Sequence, residues 1–274
     1  MSRSDKVDFR AVGWRSVEWT NLCTLYLRAC DSRSPHSVLG DRAAADVVDR
    51  IDYDWDRIRR TIRPGVNQWL VALRAARLDS WSADFLGRHP DAVVLHLGCG
   101  MDTRAFRLRP PPEVRWFDID QPHVIDLRRR LYDDDRDGYR MIGTSVTDPG
   151  WTAEIPADRP TLIIAEGLLM YLREAEVRTL LQQLTDRFPG GELLFDTVAP
   201  IGARLSKVFT KGIIAWGIRD PRRLQQWNPR LHFLESDSSL ADAGRIPSRP
   251  LRVVVRCLRA TPIGRYDMLN RFSF

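Results

Sequence analysis

Two periodicities divide the chain. From about Val12 to Arg88 apolar residues return every three or four positions, first as Trp19, Leu22, Cys23, Tyr26 and Leu27, later as Val66, Trp69, Leu70, Leu73 and Leu78. That spacing lines one stripe of a helix, so the segment is predicted to be helical. Asp31, Ser32, Arg33, Ser34, Pro35 and His36 are turn formers and predict a loop within it. Past His89 and Pro90 the pattern becomes short apolar runs at residues 92–97, 114–119, 139–146, 162–169 and 192–198, separated by helix-like stretches. Several runs are apolar on both faces, as parallel strands covered by helices on two sides must be. The expected fold is α/β, a doubly wound Rossmann-like sheet, with an N-terminal helical cap over residues 1–90 and the sheet domain over 91–274. The clearest helix is residues 173–188, with Val177, Leu180, Leu181 and Leu184 on one stripe and Pro189, Gly190 and Gly191 as its stop. Residues 231–234 and 268–274 read as strands; 251–258 fits strand or helix, and helix is preferred.

Composition narrows the partners. Hydrophobic residues make up 43% and charged residues 28%, ordinary values for a globular chain. A net charge of +6 invites a nucleic-acid reading. Lys6, Lys207 and Lys211 are the only lysines, however, and the arginines are dispersed among aspartates rather than clustered. A solvated surface explains that pattern, and no nucleic-acid partner is expected. The four cysteines, Cys23, Cys30, Cys99 and Cys257, form neither a disulfide framework nor a metal-ligand spacing. No apolar run has the length of a signal core or a membrane span, so a cytoplasmic protein with no membrane partner is expected.

The sharpest local signal is the strand-like Val93-Val94-Leu95-His96-Leu97 running into Gly98-Cys99-Gly100, then Met101-Asp102-Thr103-Arg104. Glycines there let the backbone approach a ligand, and a following helix start would offer free N–H groups. A dinucleotide fingerprint wants glycine at position 103, where a diphosphate comes close; Thr103 stands there instead. That weakens a nicotinamide oxidoreductase, the alternative reading. Asp120 lies 20 residues beyond Gly100 at the end of the second run, placed to accept hydrogen bonds from both hydroxyls of an unphosphorylated ribose.

Three strings taken in order, LGCGMDTRAFRL, WFDIDQPHVIDLRRRL and AEGLLMYL, together with Thr24-Leu25-Tyr26-Leu27-Arg28-Ala29 and Ile51-Asp52-Tyr53-Asp54-Trp55, resemble the leucine carboxyl methyltransferase superfamily. Within it they are similar to the bacterial branch of tetracenomycin-type polyketide O-methyltransferases. The resemblance covers nearly the whole chain. It implies a class I methyltransferase using S-adenosyl-L-methionine, with Gly98 and Gly100 along its methionine part, Asp120 on the ribose and Glu166 near its ammonium group. Tyr171 is implied to face the same cavity. Ser145-Val146 stands where the family carries an acidic residue followed by leucine beside the adenine; the chain departs from the pattern there, and Asp148 is a substitute. The resemblance also implies an arginine on the cofactor's carboxylate. Arg74 is the better match and Arg77, a turn away, its competitor.

Methyl transfer from a sulfonium is an in-line displacement, so alignment and exclusion of water are the main demands. A carboxylic acid acceptor is ionised near neutral pH and needs no base. A phenol or alcohol is helped by one, and His36, His123 and His232 lie outside the strand core. Tyr171 and His36 are the catalytic candidates, while His96 reads as a packed core residue. Trp14, Trp19, Trp55 and Trp69 suit a lid over a flat polyketide, with packing the expected fate of most. Acceptor selection is expected from the cap and residues 199–237. The expected function is O-methylation of a small molecule, a polyketide or another organic acid or phenol, with no metal; a homo-oligomer is compatible with all of this.

Overall fold

A computed structural model describes residues 6–14, 16–132, 137–209 and 213–274, with the side chains of residues 17, 205 and 207–209 left aside. Four helices open the chain: α1 (Val17–Ser32), α2 (Arg42–Arg50), α3 (Trp55–Ile62) and α4 (Pro64–Arg88). A two-residue parallel pairing ties β1 (Val7–Asp8), ahead of α1, to β2 (Ile51–Asp52), between α2 and α3. The starts are written in the sequence: Ser16, Asp41 and Asp54 each accept a backbone N–H three residues on, and Pro64 opens α4. The turn formers before α2 fold about Asp31, whose buried carboxylate accepts Ser37 Oγ and the N–H groups of Val38 and Leu39.

The apolar runs become the strands β3 (Val93–Leu97), β4 (Arg115–Asp120), β5 (Tyr139–Gly143), β6 (Thr161–Ala165) and β7 (Gly191–Val198), joined by the one-turn helix α5 (Arg104–Arg107), α6 (Pro122–Arg129) and α7 (Glu174–Arg187). After them come α8 (Pro200–Phe209), α9 (Leu224–Trp227), β8 (His232–Ser238), α10 (Arg249–Arg259) and β9 (Asp267–Ser273). The sheet order is β5-β4-β3-β6-β7-β9-β8, parallel up to β7 and antiparallel at the last two pairings. Residues 251–258 are helical, as preferred. Two expected strands are shorter than their apolar runs, because Gly143 leads into a turn and Gly167 (φ +66°) bends the chain away after Ala165.

The sheet has an apolar layer on each face. One joins Leu22, Leu25, Val47, Leu78 and Phe85 of the first helices to Val94, Trp116 and Leu162 of the strands. The other packs Val177, Leu180, Leu181 and Leu184 of α7 on Leu95, Ile119, Ile163 and Phe195. The cap and the sheet thus share one core, and strand alternation delivers residues to both layers. Among the described residues no helix is long and apolar enough to cross a membrane.

Candidate active site

The chain reverses direction in the sheet at β3, from which β4 lies on one side and β6 on the other. Such a point opens a crevice beyond the strands' carboxyl ends, and ligands of doubly wound sheets bind there. A cavity of about 300 Å³ occupies it, lined by Asn21, Thr24 and Arg28 of α1, Arg74 of α4, Gly98 to Asp102, Asp120, and Glu166 to Leu168 with Met170 and Tyr171.

Its floor is the glycine turn. Gly98 and Gly100 sit at φ +63° and +50°, where a side chain is strained. A Cβ on Gly100 would also fall 2.9 Å from Asn21 Cγ. Asp120 braces the turn: its Oδ2 accepts Gly100 N–H and its Oδ1 accepts Gln121 N–H, both at 2.7 Å. Burial raises the Asp120 carboxyl above its ordinary value, against those two bonds. Each oxygen keeps a lone pair for a further donor. The helix start expected to present N–H groups is a single turn, α5, and Thr103 points its hydroxyl at Asp41 instead (2.5 Å). The turn and Asp120, rather than a helix terminus, form this end.

The opposite end is built from arginines. Arg74 Nε meets Glu166 Oε1 at 3.0 Å and its Nη1 meets Asp196 Oδ2 at 3.1 Å. Its Nη2, beside Gly167, has no hydrogen-bond partner among the described residues. Arg28, 4% exposed, contacts Asp102 (3.1 Å) and Glu166 (3.4 Å), and its buried Nε is unpartnered. Arg77, the competitor of Arg74, turns to Asp237 and Asp242 (3.2 and 3.1 Å) and leaves the cavity to Arg74.

Glu166 lines the cavity, but its carboxylate is taken by guanidinium groups: Arg74 and Arg28 at Oε1, and Arg104 at Oε2 (2.5 Å). Burial alone would raise its pKa, yet Arg74, Arg104 and Arg28 outweigh that and hold it below the usual range. An ammonium group brought there would have to compete with three cations. The charge network continues inward, where Arg104 and Arg107 clasp Asp79 and Arg107 also reaches Asp41 and Asp102. Buried ions are tolerated only when paired this closely.

Other expected site residues lie elsewhere. Ser145 and Val146 do not line the cavity: Val146 packs into the apolar layer under α7, while Ser145 closes a local turn with Thr147 and Asp148. His36 is exposed on the loop folded round Asp31, which turns it away from the site. His123 pairs with Glu18 (2.8 Å), and His232 is exposed on the edge strand β8. His96 is held between Asp118 (3.0 Å) and Arg104 (3.3 Å), as a core histidine. Tyr171 does line the cavity, 43% exposed, and its partial burial raises its hydroxyl pKa. The tryptophans of the cap fill space between helices instead of lining the cavity: Trp14 on Trp19 (4.7 Å), Trp55 on Tyr26 (5.3 Å), and Trp69 in the cluster with Val38 and Ile246. Reading the sequence missed Arg28 and Arg104 as site residues. Both sit in the strings quoted above, but arginine at those spacings reads as a solvated helix face.

A seven-stranded sheet that reverses its order at a glycine turn belongs to the doubly wound class, and comparison with known proteins makes the chain a methyltransferase. The leucine carboxyl methyltransferase family profile matches residues 21–185. The chain is 44% identical over 265 residues to the tetracenomycin polyketide synthesis O-methyltransferase TcmP of Streptomyces glaucescens, covering 94% of this chain and 97% of that protein. It is 38% identical over 252 residues to the S-adenosyl-L-methionine-dependent methyltransferase dpfgK of Gibberella zeae, covering 84% and 85%. The crystal structure of a putative methyltransferase from Thermobifida fusca shares the fold with TM-score 0.59 at 18% identity, over 90% of this chain and 93% of that one. The protein belongs to the leucine carboxyl methyltransferase family.

Proposed function

We propose that the protein transfers a methyl group from S-adenosyl-L-methionine to an oxygen atom of a small molecule, a polyketide-type secondary metabolite carrying a carboxylic acid. One observation carries the cofactor assignment. A single cavity holds a carboxylate with spare acceptor capacity, Asp120, and an arginine with a spare donor pair, Arg74 Nη2. An amino-acid nucleoside presents hydroxyls and a carboxylate to two such groups. Gly98 and Gly100 leave the room between them that a Cβ would fill. The relatives support the methyltransferase reading over the nicotinamide one.

On this reading Asp120 holds the ribose, Arg74, with Arg28 behind it, holds the carboxylate, and Glu166 keeps those arginines in place. The cofactor supplies an electrophilic methyl group. The chain's own task is then to align an acceptor oxygen and exclude water. Among the described lining residues, the only histidine is His96, fixed by Asp118 and Arg104, and Cys99 has its thiol pKa pushed well up by burial. Neither serves as a base, which favours an acceptor already ionised, hence an acid over a phenol. Tyr171, its hydroxyl kept protonated, is placed to donate a hydrogen bond to that acceptor. Residues 1–90 act as the cap that closes the site through α1 and α4.

Calorimetric titration with S-adenosyl-L-methionine, followed by a labelled-methyl assay against acid-bearing and phenolic polyketides, tests both parts. Saturable cofactor binding with methyl ester formed only on the acids is expected. Absence of binding at millimolar cofactor would refute the assignment, and ether formation on phenols alone would refute the acid preference.

A further inference from the structure

A second and larger concavity, about 490 Å³, lies beyond β7 between the start of α7, the start of α8 and the segment leading to α9. Arg204, Arg219 and Arg223 line it, all exposed, and none has an acidic partner among the described residues. The acid on its wall, Glu174, is consumed by Arg178 (2.7 Å). Arg33 and Arg88, by contrast, are paired with Asp49 and Glu192.

The same wall is aromatic. Arg178 lies 3.8 Å over the Trp227 ring, and Trp227 stands 6.0 Å from Trp216 at 52°. Ile201 and Ile218 add apolar surface. The backbone beneath is pinned: Ala215 and Trp216 N–H both go to the Met170 carbonyl (2.8 and 3.2 Å), and Ile218 N–H to Val198 (2.9 Å). Gly217 is so close to its neighbours that a Cβ would lie 2.6 Å from the Val198 carbonyl. Met170 lines the cofactor cavity, so the Trp216 N–H bond to its carbonyl links the linings of the two concavities.

We infer that this concavity is a second ligand site, taking an organic anion with a flat aromatic body. Planar guanidinium groups clasp carboxylates and stack on rings, and a volume of this size suits a two- or three-ring molecule. Three unneutralised guanidiniums beside two indoles match that chemistry better than they match a phosphate backbone, which needs no aromatic wall. The inference does not rest on the methyl-transfer reading. Its ligand is either the acceptor held before transfer or a separate aromatic acid, and the chemistry of capture is shared.

The test is calorimetry on the whole protein with 2-naphthoate and with its uncharged counterpart 2-naphthylmethanol. The acid is expected to bind about tenfold more tightly. Arg219→Ala/Arg223→Ala, on exposed positions, is expected to remove that preference, and Arg219→Lys/Arg223→Lys to restore part of it, with the affinity for S-adenosyl-L-methionine unchanged in both. Labelled methyl recovered on naphthoate identifies an acceptor site, and binding without transfer identifies a separate one; either supports the inference. Equal binding of acid and alcohol, unchanged naphthoate binding in the alanine double variant, or a response to duplex DNA in place of naphthoate would overturn it.

Discussion

Asp120 shows how much one side chain can be asked to do. It braces the glycine turn through Gly100 N–H, caps the next turn through Gln121 N–H, and keeps capacity for a ribose. Asp120→Ala therefore removes the brace of the turn that forms the floor and, on the proposed reading, the ribose partner as well. We expect cofactor affinity to fall by about 1–3 kcal/mol, the usual cost of an abandoned polar partner, measured by calorimetry. Unchanged affinity would remove the ribose assignment. This residue was legible from spacing alone, because a strand end 20 positions past the turn must return to the same sheet edge. The choice between Arg74 and Arg77 was not. Both lie on one face-proximal turn of α4, and only Asp196, Asp237 and Asp242, brought in from distant segments, show which guanidinium faces the cavity.

At the scale of elements, the joint between α2 and α5 is electrostatic. Asp41 caps α2 through Ala44 N–H (3.1 Å), accepts the Thr103 hydroxyl and pairs with Arg107 (2.9 Å), with no exposure to solvent. One residue thus starts a helix and fastens the N-terminal helices to the loop beneath the cavity. Asp41→Ala leaves Arg107 short of a partner in the interior and is expected to cost about 3–5 kcal/mol of stability, read from the shift in urea midpoint. A loss below about 1 kcal/mol, the scale of a cap alone, would show that the joint carries no weight. The second and third roles of Asp41 come from residues about 60 positions away, which no local pattern registers.

For the whole molecule, buried acids divide by sign. Asp102, Asp118 and Glu166 are held low: burial raises each, but Arg107, Arg128 and Arg74 respectively lead the cations that overcome it. Their contribution is present above the ordinary carboxylate range and is lost as pH falls. Asp196 goes the other way, pushed up to about 7 chiefly by burial, with Asp267 raised beside it. Between about pH 4 and 7 the folded protein holds a proton on Asp196 that the unfolded chain has released. Stability from this group is therefore full below that window and is lost as pH rises through it. We expect wild-type stability to fall by about 1–3 kcal/mol from pH 5 to pH 8, and Asp196→Asn to flatten the slope to what the other raised acids, Asp120 and Asp267, contribute. Urea midpoints measured across that range decide it; an identical slope in the variant would reject the assignment.

The sequence by itself determined the architecture. Runs apolar on both faces must be covered strands, glycines at a strand end must form a tight turn, and an aspartate one strand further must come back beside it. Those are consequences of local periodicity and chain geometry. Tertiary structure alone decided which charges are interior. Arg28, Arg104 and Arg107 look like solvent-facing residues in one dimension, and they become the frame of the site because aspartates and glutamates from α2, α4, the glycine turn and β6 converge on them. It also decided that Ser145, Val146 and His36 stand outside the cavity, since local turns fold them away from it. Pairing of buried ions depends on distances between segments far apart in the chain, and no spacing within one segment encodes those distances.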